Sequence, residues 1–197
     1  MMRIFLTILM GVLFTSANGQ TSFSPVESKL KLIKSNDLTE LVCSGPTIAV
    51  KFSVKRKLII MPQNNFCDVD GQAIQITPLK FDGYKKDVSG RSIESEKQLL
   101  EAYSNYELDY FKNDLHIGLI NASNQWVVVK SKGWFIWYFK VDNTPAQVNK
   151  PTKIQLFAST VVGDNILTIN APVFTDDDFT KAGLIVNDMM ETLSVIK

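Results

Sequence analysis

Residues 133–140 constrain the fold more than any other part of the chain. They read Gly-Trp-Phe-Ile-Trp-Tyr-Phe-Lys, so large apolar side chains stand at nearly every position. Successive side chains of a β-strand point to opposite faces of the sheet. One face of this strand therefore carries Trp134, Ile136 and Tyr138, and the other carries Phe135, Trp137 and Phe139. Two large apolar faces predict a strand that is covered on both sides, as in a domain of three layers.

The same strand also has a functional interpretation. If one aromatic face is partly open, it offers a surface to a protein partner or to a small apolar ligand. Trp126, on the preceding predicted strand, would extend that face. The candidate binding residues are therefore Trp126, Trp134, Trp137 and Tyr138.

The hydrophobic period divides the second half of the chain into a helix, a set of strands and a second helix. Residues 92–113 repeat apolar side chains every three or four positions, which predicts an amphipathic helix. The following segment alternates with a period of two and predicts an antiparallel meander. Its strands are expected at 115–121, 125–130, 134–141, 153–162 and 165–173, with turns at 122–124 and at Gly163-Asp164. A second helix begins after Thr175, and its apolar stripe reaches Ile196.

The first half of the chain has a weaker pattern. Residues 47–54 alternate and predict a half-buried strand, while 58–61 and 73–81 predict two shorter ones. Residues 26–41 fit either a helix or a strand. Together these elements predict a single α+β domain over residues 20–197. Its central antiparallel β-sheet would be packed by the amphipathic helix and by the C-terminal helix.

The N-terminal segment is typical of a secretory signal peptide. Arg3 is followed by an uncharged apolar run over residues 4–14, and Ala17 and Gly19 place small residues at a cleavage site. We therefore expect residues 1–19 to be removed before Gln20. A bilayer span needs about 20 apolar residues, so the run is too short for an anchor. The mature chain is expected to be secreted, to a periplasm or to the extracellular medium, without stable membrane insertion.

The chain has 2 cysteines, Cys43 and Cys67. In an oxidising compartment two cysteines in a small secreted domain predict one structural disulfide. The alternative, a redox-active pair, would favour a C-x-x-C spacing that these residues do not have.

Composition excludes several classes of function. Lys and Arg number 21 against 20 Asp and Glu, and a chain so close to neutrality is not built to bind nucleic acid. With 1 His and 2 Cys, few ligands exist for a transition metal, and we expect no metal and no cofactor. A hydrolase would use His116 with Asp82 or Asp114, but the sequence shows no nucleophile beside them. A non-enzymatic role is therefore expected.

Three segments of the second half carry a resemblance to a known family. Residues 99–103 read Leu-Leu-Glu-Ala-Tyr in the first predicted helix. Residues 166–172 read Ile-Leu-Thr-Ile-Asn-Ala-Pro and lead into a helix with Asn-Asp-Met-Met-Glu-Thr-Leu at 187–193. This arrangement, over residues 92–197, resembles the PsbP-like superfamily, which includes DcrB-like proteins. The resemblance implies an α/β/α sandwich and a role in binding or assembly, since the family has no common catalytic residues.

The expected function is that of a secreted binding module that engages a protein partner in the cell envelope or outside the cell. The aromatic strand and the lack of a convergent catalytic set favour this reading. The alternative is a carrier that holds a small apolar ligand in a cleft between sheet and helix.

Overall fold

The computed structural model describes residues 22–35, 38–62, 65–82, 93–142, 152–175 and 178–196. The predicted signal peptide and its cleavage site lie outside these ranges. The strands are β1 (Ser22–Pro25), β2 (Lys29–Ser35), β3 (Leu38–Ser44), β4 (Ala49–Val54), β5 (Leu58–Ile60), β6 (Phe66–Val69), β7 (Gln72–Asp82), β8 (Leu119–Val129), β9 (Lys132–Val141), β10 (Ile154–Val162), β11 (Asn165–Val173) and β12 (Ser194–Val195). The helices are α1 (Ile93–Asp109), which continues into a π-helical turn at Tyr110–Asp114, and α2 (Asp178–Thr192).

The strands form a large and a small antiparallel sheet. The large sheet has the order β5-β6-β7-β11-β10-β9-β8, and β1 also pairs with β7. In its centre Ile169 of β11 lies opposite Ile76 of β7 on one side and Ala158 of β10 on the other. The small sheet has the order β12-β4-β3-β2.

Three layers follow from the way these elements bury their apolar faces. Helix α1 packs over β9 and β10 on one face of the large sheet, above an aromatic cluster that includes Phe135, Phe139 and Phe157. Helix α2 and the small sheet share the opposite face, where Phe52 of β4 and Met189 of α2 belong to one core cluster. The predicted α+β class, with helices packed on an antiparallel sheet, is confirmed.

The predicted amphipathic helix and the Gly163-Asp164 hairpin are both present. Gly163 has a φ of 59°, the left-handed conformation that glycine adopts without a steric penalty and that tight hairpins require. The segment 26–41, for which the pattern fitted helix or strand, forms β2 and part of β3.

Three boundary predictions were wrong. A strand was expected from residue 115, but β8 begins at Leu119, because the helix continues as a π-helical turn to Asp114 and residues 115–118 form a connection. A turn was expected at 122–124, but β8 runs through it as one strand with an irregularity between Ile120 and Ser123. Asn121 takes a φ of 53° there, so a bulge absorbs the turn-forming residues. The terminal helix was expected to reach Ile196, yet it ends at Thr192, because Val195 pairs with Val50 of β4.

None of the helices in the described ranges is both long enough and apolar enough to cross a membrane.

Candidate functional site

The aromatic strand β9 is covered on both faces. Trp134 has no exposed surface, and Trp137 is 1% exposed. The ring of Trp137 stacks on Phe157 with centroids 3.8 Å apart and planes 6° from parallel. Tyr138 is half-buried and its ring lies 5.3 Å from that of Phe179 on α2. The structural interpretation of this strand therefore holds, and an open aromatic face is not present at Trp134 or Trp137.

Trp126 differs from the other three candidates, because it lies on β8 at the edge of the sheet and is half-buried. Its indole ring covers Gly133 of the neighbouring strand: a methyl group on Gly133 would stand 2.3 Å from two ring carbons. The absence of a side chain at Gly133 thus lets the indole lie flat against the sheet, beside the aromatic cluster beneath α1. Of the four predicted binding residues, Trp126 is the one placed on the outermost strand.

Strand β8 leaves one edge of the large sheet open in the described part of the chain. It pairs with β9 alone, and residues 120–125 are all exposed. Ile120 is 40% exposed and Val128 is 54% exposed. The strand reads LINASNQWVVV and contains no charged residue. An open edge of this length presents a row of backbone N–H and C=O groups that another strand can pair with.

The other open edges are guarded. In the small sheet, edge strand β2 carries Lys29, Lys31 and Lys34. In the large sheet, β5 has only 3 residues and follows a basic segment at 55–57. The remaining edge strands, β1 and β12, are also short, with 4 and 2 residues. Lysines and short strands are the means by which proteins discourage pairing at sheet edges. Apart from its bulge at Asn121, β8 has neither, and this sets it apart as the candidate interaction site. Sequence analysis missed this edge strand because the turn predicted at 122–124 divided it into two shorter strands. The signal that could have revealed it is the long run without charged residues at 119–129.

The hydrolase hypothesis gains no support from the geometry. His116 and Asp114 are both exposed, and His116 has a φ of 53°, so the two do not follow one another along a regular strand. Asp82 forms an ion pair with Lys80 at 3.7 Å instead. Among the described residues no three side chains of metal-ligating type come together.

Cys43 and Cys67 are free thiols, and the predicted disulfide is not present. Cys43 lies on β3 of the small sheet and Cys67 on β6 of the large one, each without exposed surface. Both belong to the core cluster between the sheets, where each thiol packs as a small apolar group. Burial raises the pKa of Cys43 to about 11 and that of Cys67 to about 12, so neither thiol is activated for chemistry.

Glu107, on α1, is a buried carboxyl group that sequence analysis missed. It is 4% exposed, and it hydrogen-bonds to Tyr103 one turn earlier in the helix. The signal was its position: Glu107 stands four residues after Tyr103, so it shares the apolar stripe of the helix.

Comparison with known proteins found likenesses of structure but none of sequence. No protein-family model and no curated protein matches the sequence. The fold is similar to the solution structure of cyanobacterial PsbP (CyanoP) from Synechocystis sp. PCC 6803, with a TM-score of 0.43 and 8% sequence identity. The alignment covers 95% of this chain and 99% of that one. The sequence pattern predicts a resemblance to the same superfamily, and the likeness found here is one of fold alone.

Proposed function

We propose that this protein is a non-enzymatic binding module that captures an extended segment of a protein partner along the open edge of β8. The observation that carries the proposal is the contrast between this uncharged edge and the lysine-bearing or very short edges elsewhere. Strand addition of this kind takes its affinity from main-chain hydrogen bonds and its specificity from alternate side chains.

The side chains around the edge suit such a ligand. Trp126 and Val128 are two residues apart on β8 and so project to the same face, where the indole forms a flat apolar floor beside Gly133. A partner strand could lay an apolar side chain against this floor while its backbone pairs with β8. Because β8 has no charge, the segment that it binds best is expected to be uncharged and rich in β-branched residues.

The proposed setting is outside the cytosol. It rests on the signal-peptide pattern of residues 1–19, and it places the partner in a cell envelope or in the extracellular medium. The ligand-carrier alternative has no comparable support, because the aromatic side chains between the large sheet and α1 pack against one another rather than around a cleft.

The test is a cross-linked pull-down of the full chain from its native host, read by mass spectrometry. Two variants place lysine on the edge, Ser123→Lys and Gln125→Lys, both at exposed positions. The matched control, Thr180→Lys, adds the same charge on the exposed side of α2. We expect the captured partner to disappear with the edge variants and to remain with Thr180→Lys. Capture that survives both edge lysines would refute binding at β8.

A further inference from the structure

Helix α1 buries the carboxyl group of Glu107 against the large sheet, with few hydrogen bonds to offset the loss of contact with water. Glu107 faces the aromatic cluster formed by β9 and β10, and only 4% of it is exposed. Its Oε2 atom is buried and has no hydrogen-bond partner. A buried carboxylate oxygen without a partner is costly, since ionisation in an apolar site lacks the stabilisation that water gives.

The other oxygen of Glu107 ends a chain of hydroxyl groups that joins the helix to the sheet. Tyr103, which is 1% exposed, hydrogen-bonds to Glu107 and to Thr168 of β11. Thr168 in turn lies 3.0 Å from the hydroxyl of Ser159 on β10. A carboxyl group at the end of this chain can accept a hydrogen bond from Tyr103 in either protonation state. When the carboxyl group is charged, however, its Oε2 atom still has no hydrogen-bond donor.

The groups that face Glu107 give no positive charge. On α1, Tyr103 and Tyr106 are the titratable side chains whose electrostatics are coupled to it. On this face β1 and β7 contribute aromatic and aliphatic side chains, and β9, β10 and β11 present aromatic, aliphatic, hydroxyl and amide groups. The described residues include no ion pair with Glu107. Burial is the main cause that raises the pKa of Glu107 from 4.5 to about 7, and the hydrogen bond from Tyr103 opposes it.

We propose that Glu107 makes the docking of α1 onto the large sheet depend on proton binding. The neutral carboxyl group fits the apolar interface, and loss of its proton favours a state in which α1 lifts and Glu107 reaches water. The helix would then be a pH-responsive element that operates near neutrality.

The size of the effect follows from proton linkage. Glu107 binds its proton more tightly in the docked state, with a pKa of about 7, than in an opened state with the ordinary value of 4.5. The neutral carboxyl group therefore stabilises the docked state fully below pH 4.5, and this stabilisation is lost as the pH rises from there through about 7. Between pH 6 and pH 8 the equilibrium constant for opening should increase about tenfold.

Hydrogen exchange of the full chain, corrected for the intrinsic effect of pH, measures this opening. We expect the protection of α1 amides to fall about tenfold from pH 6 to pH 8. Glu107→Gln, which keeps the shape of the side chain and removes its charge, should abolish that fall. Glu101→Gln, on an exposed position of the same helix, should leave it unchanged.

Two results would overturn the proposal. One is a Glu107→Gln variant with the pH dependence of the wild type. The other is an equal fall of protection in β3 and β4, which would assign the effect to global unfolding. Should the Gln variant fail to fold, NMR of the glutamate carboxyl carbons in the wild-type protein decides the matter. One carboxyl should titrate near pH 7, and titration of every glutamate below pH 5 would contradict the proposal.

Discussion

A buried amide joins the two sheets, and its replacement by a carboxyl group gives a sharp prediction. Asn165, at the start of β11, is 1% exposed. Its Oδ1 accepts a hydrogen bond from Thr47 Oγ1 at 2.9 Å, and its Nδ2 donates to the Thr47 carbonyl at 3.0 Å. Thr47 belongs to the turn between β3 and β4 of the small sheet, and Asn165 belongs to the large sheet. These two hydrogen bonds therefore connect the two sheets. Asn165→Asp keeps the acceptor and removes the donor.

In the variant, a charged oxygen would stand where Nδ2 donates, facing the Thr47 carbonyl at about the same distance. An uncompensated charge in a buried site costs about 3–5 kcal/mol, and we expect the lower end because Thr47 is itself exposed. The introduced carboxyl should have a pKa above the ordinary value for Asp of about 3.9. Its protonated form can donate to the carbonyl again, so the loss should shrink as the pH falls through that raised pKa.

Urea unfolding at pH 7 and at pH 3, compared with the wild type under the same conditions, measures both effects. Asn124→Asp is the matched control, because Asn124 is exposed on β8 and the same change there should alter the free energy of unfolding by less than about 0.5 kcal/mol. A loss for Asn165→Asp that is equally small, or that is the same at both pH values, would refute the role given to this amide.

Three further predictions follow from close packing and from the thiols. Gly45→Ala would bring a methyl group within 2.6 Å of the Glu27 carbonyl oxygen, so chemical denaturation should show a loss of about 1–3 kcal/mol. Trp137→Ala should lower the free energy of unfolding by about 3–5 kcal/mol, because the ring is buried; a fully stable variant would contradict its stacked position. In the unreduced protein, Cys43 and Cys67 should resist a thiol reagent when native and both react in denaturant; no reaction in denaturant would reveal a disulfide.

The parts of the fold that were predicted are those with local signals. The continuous apolar run around Trp137 and the spacing of apolar residues in α1 define their elements without reference to the rest of the chain. The errors arose where a distant contact decides the outcome. Val195 leaves the helical pattern because β4 offers it a partner, and the residues after Ile120 stay extended because β9 holds them in the sheet.

The candidate site was predicted less well for a related reason. A sequence shows that an aromatic strand has two apolar faces, but the layers that cover them come from elsewhere in the chain. Trp134 and Trp137 were therefore indistinguishable from Trp126 until the order of the strands placed Trp126 at the edge. Likewise, a glutamate in an apolar stripe signals a buried carboxyl only if a sheet lies beneath the helix, as it does at Glu107.

The pairing of β12 with β4 has a consequence for how the protein folds. The small sheet is built from strands near one end of the chain, yet its edge is completed by Val195, which pairs with Val50. The large sheet also joins segments that are distant in sequence, because Ile76 pairs with Ile169 and the helix and several strands lie between them along the chain. Such pairings between distant segments slow folding, since loop closure must precede the contacts that stabilise it. During synthesis neither sheet can be completed until the last strands are available, and the uncharged β8 strand is exposed to aggregation throughout that interval.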